Sequence, residues 1–259
     1  MDETRLKELL ARVQAGTTPI DQAFTELRQL PFADLGFAMV DHHRAIRQGV
    51  PEVILGEGKT PEQIIAIAKE LVRMGQNLLV TRIDADKAAA LVQAVPGVKH
   101  SASARTCTLE QSPIPSLSEK KVALVSAGTS DLGVAEECAE TMHMLGVSFE
   151  RVFDVGVAGI HRLLHKRPLL EEAGLVIVIA GMEGALASVV GGLVDVPVIA
   201  VPTSIGYGAS FNGVAAMLGM LTSCASGITV CNIDNGFGAA FAAARILRAG
   251  KRHAKKDAT

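Results

Sequence analysis

Short apolar runs alternate with helix-like segments throughout the second half of the chain. Apolar runs of this length between helices are typical of strands in a parallel sheet with both faces covered. Strands are predicted at 122–125, 149–153, 175–179, 198–201 and 229–232, and helices at 132–145, 160–164, 183–193, 211–221 and 238–247. The fold class that follows is α/β, with a doubly wound parallel sheet. Ligands of such sheets bind at the carboxyl ends of the strands.

The first third of the chain predicts a small, helix-rich α/β domain. Thr60-Pro-Glu-Gln63 has the pattern of a capping box, which opens a helix that ends near Gly75. Other helices are predicted at 6–13, after Pro19 and at 85–95, with one or two short strands that include 77–83. The Ser/Pro-rich stretch 111–119 is typical of a linker. Domains are therefore expected at 1–110 and 120–248, and 249–259 is expected to be a basic, flexible tail.

Composition narrows the classes of function. The 259 residues carry a net charge of -2 and 3% aromatic side chains, with no tryptophan and Tyr207 as the one tyrosine. Nucleic-acid binders usually present a basic face or aromatic stacking platforms, so DNA and RNA are not expected partners. Glu183 and Asp195 interrupt the apolar stretch 175–201, and a membrane helix is not expected.

The cysteines and the amino terminus indicate a reducing compartment. The four cysteines form no CxxC pair and no zinc-ligand spacing. The first residues, MDETRLKELL, are charged and lack the apolar core of a signal peptide. A cytoplasmic protein with free thiols is therefore expected.

Two segments of the second half carry a resemblance to a known family, the loop Ser126-Ala-Gly-Thr-Ser-Asp131 and the stretch 180–202. The loop is similar to the phosphate-binding loop of the PurE family, the aminoimidazole ribonucleotide (AIR) carboxylases and mutases. The stretch 180–202 resembles the catalytic segment of that family and the strand after it. The catalytic histidine of the family falls on Ala185, and an alanine cannot transfer a proton. The resemblance implies a PurE-like, flavodoxin-like fold, while Ala185 argues against imidazole carboxylation.

A longer series of motifs runs along the chain. The motifs are 41–47, 51–54, 58–61, Asp154-Val-Gly-Val-Ala-Gly-Ile-His-Arg162, Gly181-Met-Glu-Gly184, 201–210, Ser223-Cys-Ala-Ser-Gly227 and 232–238. Together they resemble LarB, the carboxylase/hydrolase of nickel-pincer nucleotide biosynthesis. Each motif is short, but their order and number cover nearly the whole chain except the tail.

The resemblance to LarB implies a specific reaction. The substrates would be nicotinic acid adenine dinucleotide and CO2 or bicarbonate, and the pyridinium ring would be carboxylated at C5. Hydrolysis of the phosphoanhydride would release AMP and leave pyridinium-3,5-biscarboxylic acid mononucleotide. PurE-like proteins assemble as octamers, so a homo-octamer is expected as well.

The resemblance places the nucleophile of this reaction on Cys224. A pyridinium ring cannot attack carbon dioxide, but addition of a nucleophile at C4 gives a dihydropyridine whose C5 is nucleophilic. A thiolate both adds and leaves readily, which a serine or lysine side chain does less well. A free cysteine is usually a small buried hydrophobe. That interpretation is preferred for Cys107, Cys138 and Cys231, the last of which falls inside a predicted strand.

Two acids are candidates for the accompanying proton and phosphate chemistry. Glu183 opens a predicted helix and can accept the C5 proton, although the helix dipole explains a first-turn acid equally well. Asp131 can hold a metal ion, orient water or bind ribose, and it can also be a simple N-cap. Mg²⁺ is expected to neutralise phosphate charge, with Asp131 as the candidate ligand and Asp234 and Glu183 as the other nearby acids.

The other candidate substrate-binding residues follow the predicted strands. Ser126, Gly128, Thr129 and Ser130 offer hydroxyl and N–H groups at a helix start, where an anion binds readily, although a tight turn without a ligand has the same sequence. The remaining candidates are Asp154, Gly181, Met182, Gly184, Thr203, Tyr207, Ser210 and Asp234. Subunit packing explains Tyr207 nearly as well, and turn formation explains Asp234.

Three hypotheses of function therefore stand. The first is a LarB-type pyridinium carboxylase/hydrolase, and the second is an AIR carboxylase or mutase. Ala185 and the added first domain count against the second hypothesis. The third is a non-catalytic nucleotide-binding module, because a phosphate loop on this fold does not by itself fix a function.

Overall fold

The computed structural model describes residues 3–28 and 32–256. The chain divides into two compact units, Met1–Pro113 and Ile114–Thr259. The division falls inside the Ser/Pro-rich stretch 111–119, where the sequence predicts a linker. Among the described residues, no helix is both long enough and apolar enough to cross a membrane.

The first unit contains short helices and strands. Its helices are α1 (Glu3–Gln14), α2 (Ile20–Arg28), α3 (Arg44–Gln48), α4 (Pro61–Arg73) and α5 (Ala85–Ala94). Its strands are β1 (Phe32–Asp34), β2 (Met39–Asp41), β3 (Ile54–Leu55), β4 (Leu78–Thr81), β5 (Lys99–Ser101) and β6 (Thr106–Leu109). The first unit contains more strands than the one or two that the sequence predicts, because strands of two to four residues are too short to show a clear alternation.

The sheets of the first unit are mostly antiparallel. β1 pairs with β2, and a second sheet has the order β3-β4-β6-β5, in which β3 and β4 run parallel. The predicted capping box is confirmed, since Thr60 and Gln63 exchange side-chain and backbone hydrogen bonds at the start of α4. The buried face of α4 carries Ile64, Ile67, Ala68 and Leu71 and contributes to the core of this unit.

One histidine of the first unit is buried beside α4. His42 is fully buried. Its Nε2 atom lies 2.8 Å from a carboxylate oxygen of Glu70 on α4. Arg73 also donates hydrogen bonds to Glu70, and these bonds hold the pKa of that carboxyl below its usual value. His42 is therefore part of the packing of α4, not of a surface patch.

The second unit contains the predicted alternation of strands and helices. Its strands are β7 (Val122–Ser126), β8 (Phe149–Val152), β9 (Leu175–Ala180), β10 (Val198–Pro202) and β11 (Ile228–Val230). Its helices are α6 (Leu132–Met144), α7 (Ile160–His165), α8 (Arg167–Glu171), α9 (Ala185–Gly191), α10 (Val214–Leu221) and α11 (Gly236–Lys256). Short 3-10 turns precede α6, α7 and α10.

The strands of the second unit form one parallel sheet, which confirms the predicted fold class. The strand order is β11-β10-β9-β7-β8, and every neighbouring pair runs parallel. All residues of β7, β9 and β10 are buried, as expected for strands covered on both faces. All five carboxyl ends therefore lie at the same edge of the sheet, which we call the carboxyl edge.

Two predicted helix starts in the second unit are wrong. α9 begins at Ala185, so Glu183 lies in the turn before the helix and not in its first turn. α10 begins at Val214, because Phe211 and Asn212 have φ angles of 43° and 52° and cannot belong to an α-helix. Both starts follow a glycine in the left-handed region, Gly184 and Gly213, which side-chain periodicity does not reveal.

Two predicted ends are also wrong. β11 ends at Val230, so Cys231 follows the strand instead of lying inside it. α11 continues to Lys256, well past the predicted end at Leu247. The first part of the predicted tail is therefore helical, and residues 257–259 lie outside the described residues.

Candidate active site

Most of the predicted site residues lie at the carboxyl edge. Asp131 follows β7, Asp154 follows β8, Glu183 follows β9, Thr203 follows β10 and Asp234 follows β11. The edge brings together residues that are far apart in the sequence, because consecutive strands of a parallel sheet all end there.

Asp131 connects three of these loops. One carboxylate oxygen accepts a hydrogen bond of 2.6 Å from the Thr203 hydroxyl, and the other accepts one of 2.9 Å from the Gly128 N–H. The Gly181 backbone also donates to this carboxylate. Asp131 and Thr203 are 4% and 0% exposed, so the connection is shielded from solvent. The carboxylate therefore fixes the loops after β7, β9 and β10 relative to one another.

The environment of Asp131 raises the pKa of its carboxyl. Burial raises the pKa of this carboxyl above its usual range, and the negative charge of Asp234 raises it further. The hydrogen bonds from Thr203 and from two backbone N–H groups oppose this shift. Asp131 also stands at the N-cap position of α6, but its side chain makes no capping bond there. The simple N-cap alternative therefore does not explain its side-chain contacts.

The predicted phosphate loop divides into buried and exposed parts. Ser126 is fully buried, and its hydroxyl lies 3.5 Å from the Asp154 N–H that donates to it. The Gly128 N–H is already bonded to Asp131. The side chains of Thr129 and Ser130 are exposed and precede α6. Of the four predicted residues, Thr129 and Ser130 have exposed side chains, whereas the Ser126 hydroxyl and the Gly128 N–H make hydrogen bonds within the site.

The loop after β9 is a tight turn that presents Glu183. Met182 and Gly184 have φ angles of 53° and 71°, and the Gly184 N–H donates to the Gly181 carbonyl. A Cβ atom on Gly181 would lie 2.5 Å from the Ile205 carbonyl oxygen and 2.6 Å from the Thr203 hydroxyl, so only glycine fits there. Glu183 is exposed and precedes the first turn of α9.

The loop after β10 carries both buried polar groups and exposed aromatic rings. The Ser204 N–H donates to a carboxylate oxygen of Asp234 at 2.8 Å, which ties this loop to the one after β11. Ser210 is buried, and its N–H donates to the Tyr207 carbonyl. The side chains of Tyr207 and Phe211 are 81% and 71% exposed. The exposure of Tyr207 in one chain is compatible with both of its predicted roles, substrate binding and subunit packing.

Asp154 has a partner that is not among the predicted site residues. The Arg162 guanidinium donates a hydrogen bond of 2.6 Å to its carboxylate, and both side chains are partly exposed. Arg162 lies in α7 and is not among the predicted site residues. Its place in the same predicted motif as Asp154, residues 154–162, is the signal that could have assigned it.

Cys224 is exposed, but it lies at the opposite end of the strands from these loops. It belongs to the segment between α10 and β11, so it precedes β11 at the amino end of that strand. The Ser188 hydroxyl on α9 donates a hydrogen bond of 2.7 Å to the Ser223 hydroxyl, which in turn accepts the Ala225 N–H. The thiol is therefore accessible and held on a fixed turn.

The other thiols are less available. Cys107 and Cys138 are buried, as predicted, and burial raises the pKa of Cys107 to about 11. Burial also raises the pKa of Cys138 and of the partly exposed Cys231. All three remain in the protonated thiol form at neutral pH, which is a poor nucleophile.

Comparison with known families decides the assignment of the chain. Residues 32–111 match the LarB/PurE-like N-terminal domain, and residues 121–258 match the AIR carboxylase domain. The chain belongs to the AIR carboxylase family and has the two-domain architecture of LarB. LarB architecture is thus confirmed for the chain, together with a carboxylase- or mutase-type function.

Two relatives support this assignment. An uncharacterized protein of Methanocaldococcus jannaschii is 38% identical over 251 residues, which are 94% of this chain and 97% of that protein. The N5-carboxyaminoimidazole ribonucleotide mutase of Pyrococcus horikoshii is 33% identical over 130 residues, which are 49% of this chain and 71% of the mutase. The similarity to the mutase covers about half of the chain, whereas the LarB architecture extends over both units.

Within residues 3–28 and 32–256, no group of three or more His, Cys, Asp or Glu side chains is arranged to hold a metal ion. Both oxygens of Asp131 already accept hydrogen bonds, and the side chain is shielded from solvent. In the part of the chain that the structure describes, these residues form no protein cage for Mg²⁺, and Asp131 as its ligand stays a prediction.

Proposed function

We propose that this LarB-type protein carboxylates the pyridinium ring of nicotinic acid adenine dinucleotide at C5 and hydrolyses its phosphoanhydride. The observation that carries the proposal is the exposed thiol of Cys224 in a chain of LarB architecture. Ala185, the first residue of α9, also supports the proposal. The catalytic histidine of the AIR carboxylases falls on this position, and an alanine cannot transfer a proton. A nucleophilic thiol that adds to the pyridinium ring offers a different way to make a ring carbon nucleophilic.

The first step of the proposed reaction makes the ring nucleophilic. The Cys224 thiolate forms a C–S bond to C4, and the electron pair of the ring moves to give a neutral dihydropyridine. C5 of this enamine-like ring then forms a C–C bond to carbon dioxide. The C5 proton is removed, the C–S bond breaks, and the thiolate leaves with its electron pair. Atoms and charges balance without an oxidant or reductant.

Glu183 is the base in this proposal. Its side chain is exposed at the carboxyl edge, so its carboxylate can reach a bound ring and accept the C5 proton. Asp131 is a positioning residue in the same site, because its buried carboxylate holds the loops that carry Thr129, Gly181 and Thr203. The exposed hydroxyls of Thr129 and Ser130 bind the phosphates in front of α6.

In this proposal, Mg²⁺ binds together with the substrate phosphates. This ion keeps most of its water ligands and needs few protein ligands. The carboxylates of Asp131 and Asp234 are engaged with the Thr203 hydroxyl and the Ser204 N–H, and no catalytic step is assigned to the ion.

The proposal is tested by product analysis. The purified protein is incubated with nicotinic acid adenine dinucleotide, ¹³C-bicarbonate and Mg²⁺, and the mixture is analysed by mass spectrometry. We expect labelled dicarboxylated pyridinium mononucleotide together with AMP. Unchanged substrate under these conditions would contradict the proposed activity.

Substitution of single cysteines distinguishes the proposed nucleophile, Cys224, from the other thiols. Cys224→Ala is expected to abolish the carboxylated product, because no group remains to add at C4, while the thermal unfolding temperature stays close to wild type. Cys231→Ala serves as the control, since this thiol lies after β11 and is expected to be dispensable. Full activity of Cys224→Ala would refute the nucleophile assignment.

The similarity to the Pyrococcus horikoshii mutase favours a second candidate function. This is carboxylation or carboxylate transfer on aminoimidazole ribonucleotide, as the name of that relative indicates. Turnover of this ribonucleotide by the wild-type protein, unchanged in Cys224→Ala, would support it. We expect no turnover, because Ala185 cannot serve as the proton carrier.

A further inference from the structure

A buried carboxylate on α6 contacts the start of α11. Glu137 lies in the second turn of α6 and is 4% exposed. Its Oε2 atom accepts a hydrogen bond of 3.3 Å from the N–H of Phe237, the second residue of α11. The two residues are 100 positions apart, so this bond joins two helices that both begin at the carboxyl edge.

The start of α11 lies so close to α6 that only glycine fits at its first residue. A Cβ atom on Gly236 would lie 2.3 Å from the Val134 carbonyl oxygen and 3.2 Å from Oε2 of Glu137. The Oδ1 atom of Asn235 accepts the N–H of Gly238 at 2.8 Å. Asn235 and the α6 carboxylate therefore each accept one N–H group of this helix end.

The buried charge is more than a helix start ordinarily needs. Helix starts are usually capped by a polar side chain next to them in the sequence, and Asn235 already provides such a contact. Burial raises the pKa of the adjacent Cys138 thiol, and the negative charge of Glu137 raises it further. Burying a carboxylate is costly even when hydrogen bonds compensate in part. Departures of this kind from ordinary packing are typical of functional sites.

The segment directly before α11 is the turn of Asp234, a candidate substrate-binding residue. The Asp234 N–H donates to the Pro202 carbonyl at 2.9 Å, and its carboxylate accepts the Ser204 N–H at 2.8 Å. Its φ angle of 56° is uncommon for a residue other than glycine. Such a conformation persists only where the surroundings hold it. The loop after β10 holds one side of this turn, and the start of α11 holds the other.

We propose that Glu137 is a positioning residue for substrate binding, which holds the Asp234 turn in place through the start of α11. This inference rests on the proposed function, in which the Asp234 turn contacts the substrate. Glu137 is buried and acts through the backbone segment 234–237, so it does not itself touch the substrate.

Shortening the side chain tests this role. Glu137→Asp keeps the negative charge but withdraws the carboxylate from the Phe237 N–H by one methylene group, about 1.5 Å. A displaced Asp234 weakens a charged hydrogen bond to the substrate, so we expect KM for nicotinic acid adenine dinucleotide to rise about tenfold. We expect kcat to stay within about twofold of wild type, because Cys224 and Glu183 lie on other segments. Steady-state kinetics of the carboxylated product measure both constants.

A purely structural role of Glu137 gives a different result. Partial unfolding lowers the amount of active protein, so the apparent kcat falls while KM keeps its wild-type value. Glu137→Gln retains an oxygen acceptor at the same distance and is expected to have a KM close to wild type. A wild-type KM in Glu137→Asp would overturn the inference, and so would an equal rise of KM in Glu137→Gln.

The neighbouring acid on the same helix provides the matched control. The carboxylate of Glu136 accepts hydrogen bonds of 2.9 Å and 3.3 Å from Arg151 on β8, away from the start of α11. Glu136→Asp makes the same change of length and weakens this ion pair, but we expect KM to stay unchanged. A rise of KM as large as that in Glu137→Asp would show that any disturbance of α6 has this effect.

Gly236→Ala perturbs the same contact from the other helix. Its Cβ atom would collide with the Val134 carbonyl and move the start of α11 away from α6, so KM is expected to rise as in Glu137→Asp. Circular dichroism confirms that each variant is folded. Wild-type protein without carboxylated product would overturn the proposed function. An active wild type, with KM unchanged in folded Glu137→Asp or Gly236→Ala, would overturn only the positioning role.

Discussion

At the scale of single residues, buried polar contacts determine the shape of the candidate site more than its exposed groups do. Asp131 and Thr203 are 72 positions apart and share a buried hydrogen bond that joins two loops of the carboxyl edge. Such a bond contributes more to stability when one partner is charged and shielded from water. The exposed groups, Glu183 and Cys224, are free to contact substrate because neighbouring residues hold the backbone.

Thr203→Val tests the coupling between this hydroxyl and the Asp131 carboxylate. The raised pKa of Asp131 means that ionising it costs stability, and this cost appears as the pH rises through its folded-state pKa. Removing the Thr203 hydroxyl takes a donor from the ionised form and raises this pKa further. We expect a loss of about 1–3 kcal/mol at neutral pH and a smaller loss at acidic pH, measured by urea unfolding.

Thr203→Ser is the control for this prediction, because serine keeps the hydroxyl and removes one methyl group. It is expected to retain most of the stability at both pH values. Equal losses for Thr203→Val at acidic and neutral pH would show that the hydroxyl and the carboxylate are not coupled.

At the scale of elements, α9 holds the segment that carries the thiol. The Ser188 hydroxyl donates to the Ser223 hydroxyl, and Gly191 lets this segment approach closely, since a Cβ atom there would lie 3.0 Å from the Cβ atom of Ala225. The same helix begins directly after the loop of Glu183. α9 therefore links the position of the thiol segment to that of the loop with the base.

Ser188→Ala should affect catalysis more than stability. Loss of one partly buried hydrogen bond costs about 1 kcal/mol of stability. A displacement of about 1 Å at a reacting group lowers the rate by up to about 100-fold, so we expect kcat/KM to fall at least about tenfold. Steady-state kinetics and thermal unfolding measure the two effects. Ser188→Thr keeps the hydroxyl and should remain active, and a loss of activity that merely parallels the loss of stability would contradict this role.

At the scale of the whole molecule, the chain is built from two units with separate cores. One apolar cluster belongs to the first unit and another to the parallel sheet of the second. The division at Pro113 and Ile114 lies in a Ser/Pro-rich stretch without helix or strand. Exposed segments of this composition are preferred sites of proteolysis.

Limited trypsin digestion tests this organisation. Lys120 is exposed before β7, so early cleavage there should give two fragments that resist further digestion. Lys99 is also exposed but lies in β5, and is expected to be cut later because its backbone is paired with β6. Mass spectrometry identifies the sites, and early cleavage inside either core would contradict the prediction.

The sequence by itself determined the features that depend on local chemistry. The apolar runs at 122–125 and 175–179 predicted buried strands, and Thr60 to Gln63 predicted a helix start, because each signal lies within a few neighbouring residues. Strands as short as β3 gave no such signal, and left-handed residues such as Gly184 and Gly213 moved helix starts that periodicity had placed earlier.

Only the tertiary structure decided how these features meet. The bond between Thr203 and Asp131, and the pairing of Arg162 with Asp154, arise from the strand order and from the turns after the strands. The place of Cys224 at the amino end of β11 follows from the direction of the same strands. A sequence motif gives a residue its chemistry, but the parallel sheet decides at which edge that chemistry is presented.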